Sequence, residues 1–387
     1  MDYAARVMLP FFQSMQLEEI IKNRIRTEGP MSFRDFMHEA LYHPGLGYYT
    51  SALTEIGKSG DFYTSPHLHS AFGAMIGRQA IECWELMGRP SPFAIIEPGS
   101  GRGYLAMDML DYLKGKPIYE ALTYNIVELN PGMRERQSAL LASHLAKLNW
   151  HASLADIHTD SALLVSNEVP DAFPVHVLQM SAEGWREVFV ALDGDRFTET
   201  LRPPTPELAA YCDEFVPALP EGFRIEANLQ MQGWIRDAAS TMKRGFILTV
   251  DYGYPAAELY NEDRPRGTLL CYKSHMTSED FYSNIGAQDI TAHVNFSALA
   301  GWGSLEGLDT IGFARQGAYL VSLGIDELIV ELYGAEPNMG MDAAKIHGLI
   351  MPGTMGDTHK VLMQCKGVGR PKLRGFSLKN QAEKLFK

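Results

Sequence analysis

Residues 93–105 read FAIIEPGSGRGYL, and no other stretch of this 387-residue chain restricts the fold as much. Residues 93–96 are four apolar side chains in a row, the pattern of a buried strand. Glu97 closes the run, and Gly99, Gly101 and Gly103 follow at alternate positions. From Tyr104 to Lys114 apolar and polar residues recur at helical spacing, which puts Leu105, Met109 and Leu113 on one face. The stretch is predicted to be a strand, a glycine turn and a helix. Glycines there allow a sharp bend and let a ligand approach the main chain with no Cβ in the way.

The spacing bears on which ligand. A dinucleotide turn is G-x-G-x-x-G, whose third glycine lets helix and strand pack closely. Counted from Gly99, that glycine would fall at position 104, which is Tyr104. From Glu97 to Gly103 the chain reads E-x-G-x-G-x-G instead. That pattern suits a nucleoside donor with no pyrophosphate, whose cationic amino acid end meets an acidic strand end. S-adenosylmethionine (SAM) fits this description. Glycine turns also occur in α/β proteins with no ligand, so the decision falls to the rest of the chain.

Further strands alternate with helical segments, as in a parallel, doubly wound sheet. Residues 123–128 end in Glu128. Asn130-Pro131 caps a helix over 132–147. Residues 149–151 lead to Ser153 and Asp156, residues 162–166 lead to Asn167-Glu168, and residues 245–253 contain Asp251. Ligands of such sheets bind outside the C-terminal strand ends. Glu128 is placed to accept ribose hydroxyls, and residues 153–156 to meet adenine. Each acid alone would be a helix cap or a solvated turn. Four polar strand ends in succession, together with the glycine turn, favour a nucleoside site.

The alternation breaks elsewhere. Residues 1–90 read as a helical region packing on the core. Residues 175–242 read as an inserted α+β unit on the substrate side, and 254–290 as a long irregular segment. Residues 309–313 and 359–365 are expected to form a final antiparallel pair, so that 91–174 and 243–365 make the core. The tail 366–387 carries Lys366, Arg370, Lys372, Arg374, Lys379, Lys384 and Lys387 against Glu383, and reads as solvated.

A net charge of -13 argues against nucleic acid as a partner, because phosphate binding needs a basic surface. No run of about eighteen apolar residues predicts a membrane span. Residues 1–16 have one basic residue and no cleavage pattern, so a cytoplasmic protein is expected. The four cysteines are scattered, which predicts reduced thiols and no metal site.

Several longer stretches carry a family resemblance: YHPGLGYY (42–49), GDFYTSP (60–66), VELNPGMRERQ (127–137), NEVPDAFP (167–174), DYG (251–253), GTLLCY (267–272) and DITAHVNF (289–296). With the glycine motif, the set in this order resembles the MidA-type SAM-dependent methyltransferases. That family includes a mitochondrial complex I assembly factor that methylates an arginine. The resemblance implies a class I, Rossmann-like methyltransferase sheet. It implies SAM as donor, S-adenosylhomocysteine as product, and an arginine of a protein partner as acceptor, by analogy a respiratory-complex subunit. A homodimer is a further expectation.

Cofactor contacts are expected from Thr64, Ser65, Glu97, Gly99, Gly101, Gly103, Glu128, Ser153 and Asn167, and substrate contacts from Tyr252 and Glu226. Glu168 and Asp171, assisted by His293, are the expected catalytic groups, because carboxylates can orient a guanidinium and take its proton. Two positions depart from the family pattern: Pro170 stands where an aromatic or aliphatic residue is usual, and Asn295 where an acid is usual. A SAM-sensing assembly factor is an alternative function. A nicotinamide oxidoreductase is another, and Tyr104 disfavours it.

Overall fold

The computed structural model describes residues 3–51, 65–334, 340 and 342–387, with side chains from Phe12 onward. The chain forms two compact units. The first comprises Met1–Phe62, Pro170–Met231 and Tyr254–Asn295; the second comprises Tyr63–Val169, Gln232–Gly253 and Phe296–Lys387.

The second unit is built on a sheet whose strands, in chain order, are β1 (Phe93–Pro98), β2 (Leu122–Val127), β3 (Leu148–His151), β4 (Thr159–Asn167), β5 (Met242–Tyr254), β6 (Asp309–Arg315) and β7 (His359–Lys366). Across the sheet they run β3-β2-β1-β4-β5-β7-β6. Strands β1 to β5 pair in parallel, and β7 lies antiparallel between β5 and β6. The strand order reverses between β1 and β4, which opens a crevice at their C-terminal ends.

All six residues of β1 are buried, as expected for a strand with both faces covered. Phe93 and Ile95 share one core cluster with Phe72, Met75, Leu105 and Met109. Each such side chain contributes roughly 1.5–3 kcal/mol when fully buried. The helix Ala71–Leu86 lies so close to Tyr104–Leu113 that a Cβ at Gly73 would stand 2.4 Å from the Asp108 Cβ.

The division differs from the expected one in three respects. Helix Ala71–Leu86, read within an N-terminal region 1–90, belongs to the second unit. Helix Gln230–Ser240, read within the insertion, lies almost wholly in the second unit too. The tail is not a solvated extension. Leu373, Phe376 and Leu385 are buried, Phe376 packs on Tyr319 at 5.2 Å, and Arg374 pairs with Glu327. The helix read over 132–147 is an α-helix, Pro131–Leu140, followed by a 3-10 helix, Ala142–Lys147.

The first unit holds an antiparallel sheet of Met31–Ser32, Gly184–Asp193, His176–Ser181 and Arg224–Ala227, with Arg196–Arg202 paired to Gly184–Asp193. Helices Tyr3–Glu28 and Phe33–Tyr42 cover it through Leu17, Ile21, Phe33, Phe36 and Met37, which cluster with Val188 and Val190. Segment 254–290, read as irregular, contributes strand Leu270–Lys273, flanked by Met276–Ser278 and Asp289–Thr291.

Among the described residues no helix is long and apolar enough to cross a membrane, and no group of His, Cys, Asp and Glu could hold a metal ion. All four cysteines are buried free thiols.

Candidate functional site

The second unit gathers most of the predicted cofactor residues at the C-terminal edge of its sheet. After β1 the backbone turns through left-handed conformations at Gly99 (φ 65°), Gly101 (φ 52°) and Gly103 (φ 90°), and Gly103 caps the helix Tyr104–Leu113. A side chain in this region costs about 1–2 kcal/mol, so glycine is the residue that forms the turn without strain. A Cβ on Gly99 would come 3.1 Å from Val169 Cγ2, whereas one on Gly101 would meet no atom of the described residues within 4 Å. The turn is therefore packed on one side and open at Gly101, as a cradle for a ligand requires.

Gln137 fixes that cradle. Its buried amide donates to the Gly101 carbonyl (2.7 Å) and to Glu128 Oε2 (3.2 Å), and its oxygen accepts from Trp150 Nε1 (3.0 Å). Sequence reasoning gave this residue no role. It lies inside VELNPGMRERQ, one helical turn beyond Met133 on the buried face, and that was the available signal.

Glu97 is 3% exposed, and its Oε2 accepts the Tyr124 hydroxyl at 2.6 Å. Burial pushes its carboxyl up to about 7, with the Tyr124 hydrogen bond acting in the opposite direction. Glu128 accepts the Asn130 N–H on Oε1 (2.9 Å) and the Gln137 amide on Oε2. Burial raises its pKa, and those two donors oppose the rise. A carboxylate has about four acceptor positions, so both Glu128 oxygens retain room for a hydroxyl. Ser153 is exposed and closes a capping box with Asp156 around the turn Leu154–Asp156, so its hydroxyl already serves Ala155 N–H.

At the end of β4 the Asn167 amide donates to Glu168 Oε1 at 3.2 Å, while its Oδ1 is buried with no hydrogen-bond partner among the described residues. Glu168 adopts φ 51°, a strained conformation for a residue with a side chain. Its N–H donates to the Val250 carbonyl (2.8 Å), and Oε1 also accepts Ser65 N–H (3.2 Å). Among the described residues no donor meets Oε2. Tyr252 is half-buried on β5, its ring 5.5 Å from His359. His359 was not anticipated. Thr64 lies outside the described residues.

Asp171, Glu226 and His293 belong to the first unit. Asp171 is buried, and its carbonyl accepts Ala292 N–H (3.0 Å). Its carboxylate and Asp289 help to raise the buried Tyr42 and Tyr49 hydroxyls above their usual range, although burial is the larger cause. Tyr42, Tyr49, Asp171, Asp289 and Ala292 are therefore neighbours within this unit.

Glu226 accepts Thr268 N–H (3.0 Å), Thr268 Oγ1 (2.9 Å) and Leu269 N–H (3.4 Å), which fastens the 267–269 turn. The Thr268 hydroxyl oxygen in turn accepts His293 N–H (3.0 Å). In this structure Glu226 holds its own loop. Asn295 donates to the Tyr211 hydroxyl (2.9 Å), which an acid at this position could do only when protonated. The Pro170 carbonyl accepts the Asn228 amide (2.9 Å).

The residues present fit SAM. Gly101 leaves the cradle open, Asn167 Oδ1 offers a free buried acceptor for an ammonium group, Glu97 supplies the acid, and Glu128 can take ribose hydroxyls. Comparison with known proteins agrees. Residues 75–314 match the family Methyltransf_28, S-adenosyl-L-methionine-dependent methyltransferases. The mitochondrial protein arginine methyltransferase NDUFAF7 of Danio rerio is 28% identical over 369 residues, covering 87% of this chain and 84% of its own. The Homo sapiens protein of that name is 26% identical over 368 residues, with 86% and 80% covered. The crystal structure of a protein from Burkholderia thailandensis bound to S-adenosyl-homocysteine has a TM-score of 0.87 at 28% identity, over 97% of both chains. The family match spans well over half the chain and includes the whole glycine turn, so this protein belongs to the S-adenosyl-L-methionine-dependent methyltransferases of family Methyltransf_28.

Proposed function

We propose that the protein transfers the methyl group to an arginine side chain of a protein partner, with Glu168 as the general base. The observation that carries this reading is the asymmetry of the Glu168 carboxylate. Oε1 is held by Ser65 N–H and the Asn167 amide, while Oε2 is left for an incoming N–H. Val169, the next residue, lies beside the glycine turn, where its Cγ2 would stand 3.1 Å from a Cβ on Gly99. The names of the NDUFAF7 relatives support arginine as the acceptor.

When bound, SAM supplies an electrophilic methyl group on a sulfonium. The chain must supply alignment and a destination for one proton. Prior deprotonation of a guanidinium with pKa near ~13.8 would cost about 9 kcal/mol at pH 7. Glu168 avoids that cost by orienting the guanidinium and accepting its proton on Oε2 as the new N–C bond forms.

The test incubates purified protein with methyl-labelled SAM and an array of arginine- and lysine-bearing peptides. Label recovered as methylarginine after acid hydrolysis is the expected result. Label on lysine or on carboxyl groups would overturn the acceptor assignment. Undiminished transfer by Glu168→Gln would remove Glu168 from the mechanism.

A further inference from the structure

His359 is the first residue of β7. Because β7 runs antiparallel, its first residue stands at the C-terminal edge of the parallel strands, in register with Tyr252. Its Nε2 lies 3.5 Å from Glu168 Oε1, with both side chains only 7% exposed. Nε2 is buried without a hydrogen-bond partner among the described residues. On the other side of the ring, Nδ1 is 3.1 Å from the Thr358 hydroxyl, and that hydroxyl donates back to the Thr354 carbonyl at 3.2 Å. Nε2 is the ring nitrogen turned toward Glu168, and a proton on it would lie between Nε2 and Oε1.

We propose that His359 is a positioning residue for Glu168: a proton on Nε2 holds Oε1 and leaves Oε2 as the basic atom. The proposal rests on the reading of Glu168 as the base. With Oε1 held by Ser65, Asn167 and His359, the proton released by the acceptor nitrogen goes to Oε2.

Charged and titratable groups on the surrounding elements are His67 on Ser65–Leu68, Asp251 and Tyr252 on β5, Lys360 on β7, and the Arg315–Asp357 ion pair. Burial lowers the pKa of His67 while Glu168 raises it. The Lys360 ammonium donates to the Asp357 and Thr358 carbonyls.

Imidazole 15N resonances of the full-length protein would be recorded, with His359 assigned as the resonance missing from His359→Gln. The expected result is a protonated Nε2 whose resonance shifts in Glu168→Gln. Unchanged His359 resonances in that variant would overturn the pairing. This measurement needs no acceptor, so a coupled pair in a protein that fails to methylate arginine would refute the acceptor assignment and leave the pair intact.

With the peptide acceptor, His359→Leu should lose ~100-fold or more in kcat, the scale of general-base catalysis, with SAM affinity unchanged. His359→Gln, whose amide can still donate to Oε1, should recover to within ~10-fold of wild type. An unreduced kcat in His359→Leu, or no recovery in His359→Gln, would also overturn the proposal.

Discussion

On the reading that ionised Glu97 receives the ammonium end of the donor, SAM affinity should weaken as pH falls. Burial holds this carboxyl at about 7 against an ordinary value near 4.5. If the ionised form alone binds, the apparent Kd scales with 1 + 10^(pKa − pH). Between pH 7.0 and 5.5 this gives a ~16-fold loss of affinity, or about 1.6 kcal/mol, with the amino group of SAM protonated throughout, since α-amino groups titrate near ~7.7. At pH 6.0 binding should release ~0.9 proton per SAM.

Calorimetry in buffers of different ionisation enthalpy reads both quantities. Glu97→Gln should bind more weakly, independently of pH and without proton release. Tyr124→Phe removes the donor at 2.6 Å and should move the midpoint upward. The same pKa has a consequence for the free protein. Between 4.5 and 7 the folded state holds a proton that the unfolded chain has lost, so stability is full below that window and falls as pH rises through it, by about 3 kcal/mol in all. A wild-type Kd constant within twofold from pH 5.5 to 7.0 would refute the placement of Glu97 against the ammonium.

Gly101→Val should leave the fold intact at a cost of about 1–2 kcal/mol for its left-handed backbone, while raising the SAM Kd by more than 100-fold; calorimetry and thermal melting separate the two effects. Gln137→Leu keeps the bulk but removes the hydrogen bonds to Gly101, Glu128 and Trp150, leaving buried groups unpaired. A stability loss of roughly 2–4 kcal/mol by urea unfolding is expected, together with weaker SAM binding. Phe376→Ala should cost about 3–5 kcal/mol in the same assay; an unchanged midpoint would mean that the tail is not core after all.

Periodicity made β1, the glycine turn and the following helix legible, because each repeats its own spacing over several residues: consecutive apolar side chains in 93–96, alternate glycines from 99, and Leu105, Met109 and Leu113. The acids at the strand ends were legible for a related reason, since a parallel strand stops where its apolar run stops. Other features were hidden by composition. In the tail, seven cations draw attention away from Leu373, Phe376 and Leu385, whose spacing matches neither a helix nor a strand. Helix Gln316–Leu323 carries too many apolar residues for a clear polar face, and it meets Ile325–Tyr333 at Gly324 (φ 93°). Strands of three or four residues in 254–290 are too short to show alternation.

His359 could have been found, and the reason it was not lies in topology. Residues 359–365 read as the last antiparallel strand, and the rule for open α/β sheets points to the C-terminal ends of strands. Antiparallel pairing reverses that rule for one strand: the residue that opens β7 lies beside Tyr252, near the end of β5. The start of β7 should therefore be searched for site residues together with the ends of β1 to β5. Backbone strain points to the same place. Glu168 is held at φ 51°, a conformation that glycine would adopt without penalty, and its N–H is tied to Val250. A glutamate kept there contributes something that glycine cannot, and the groups within reach of its carboxylate are Ser65, Asn167 and His359. Two of these donate hydrogen bonds to Oε1 and the third lies 3.5 Å from it. The strained backbone and the one-sided contacts both support the proposed use of Oε2 as the base.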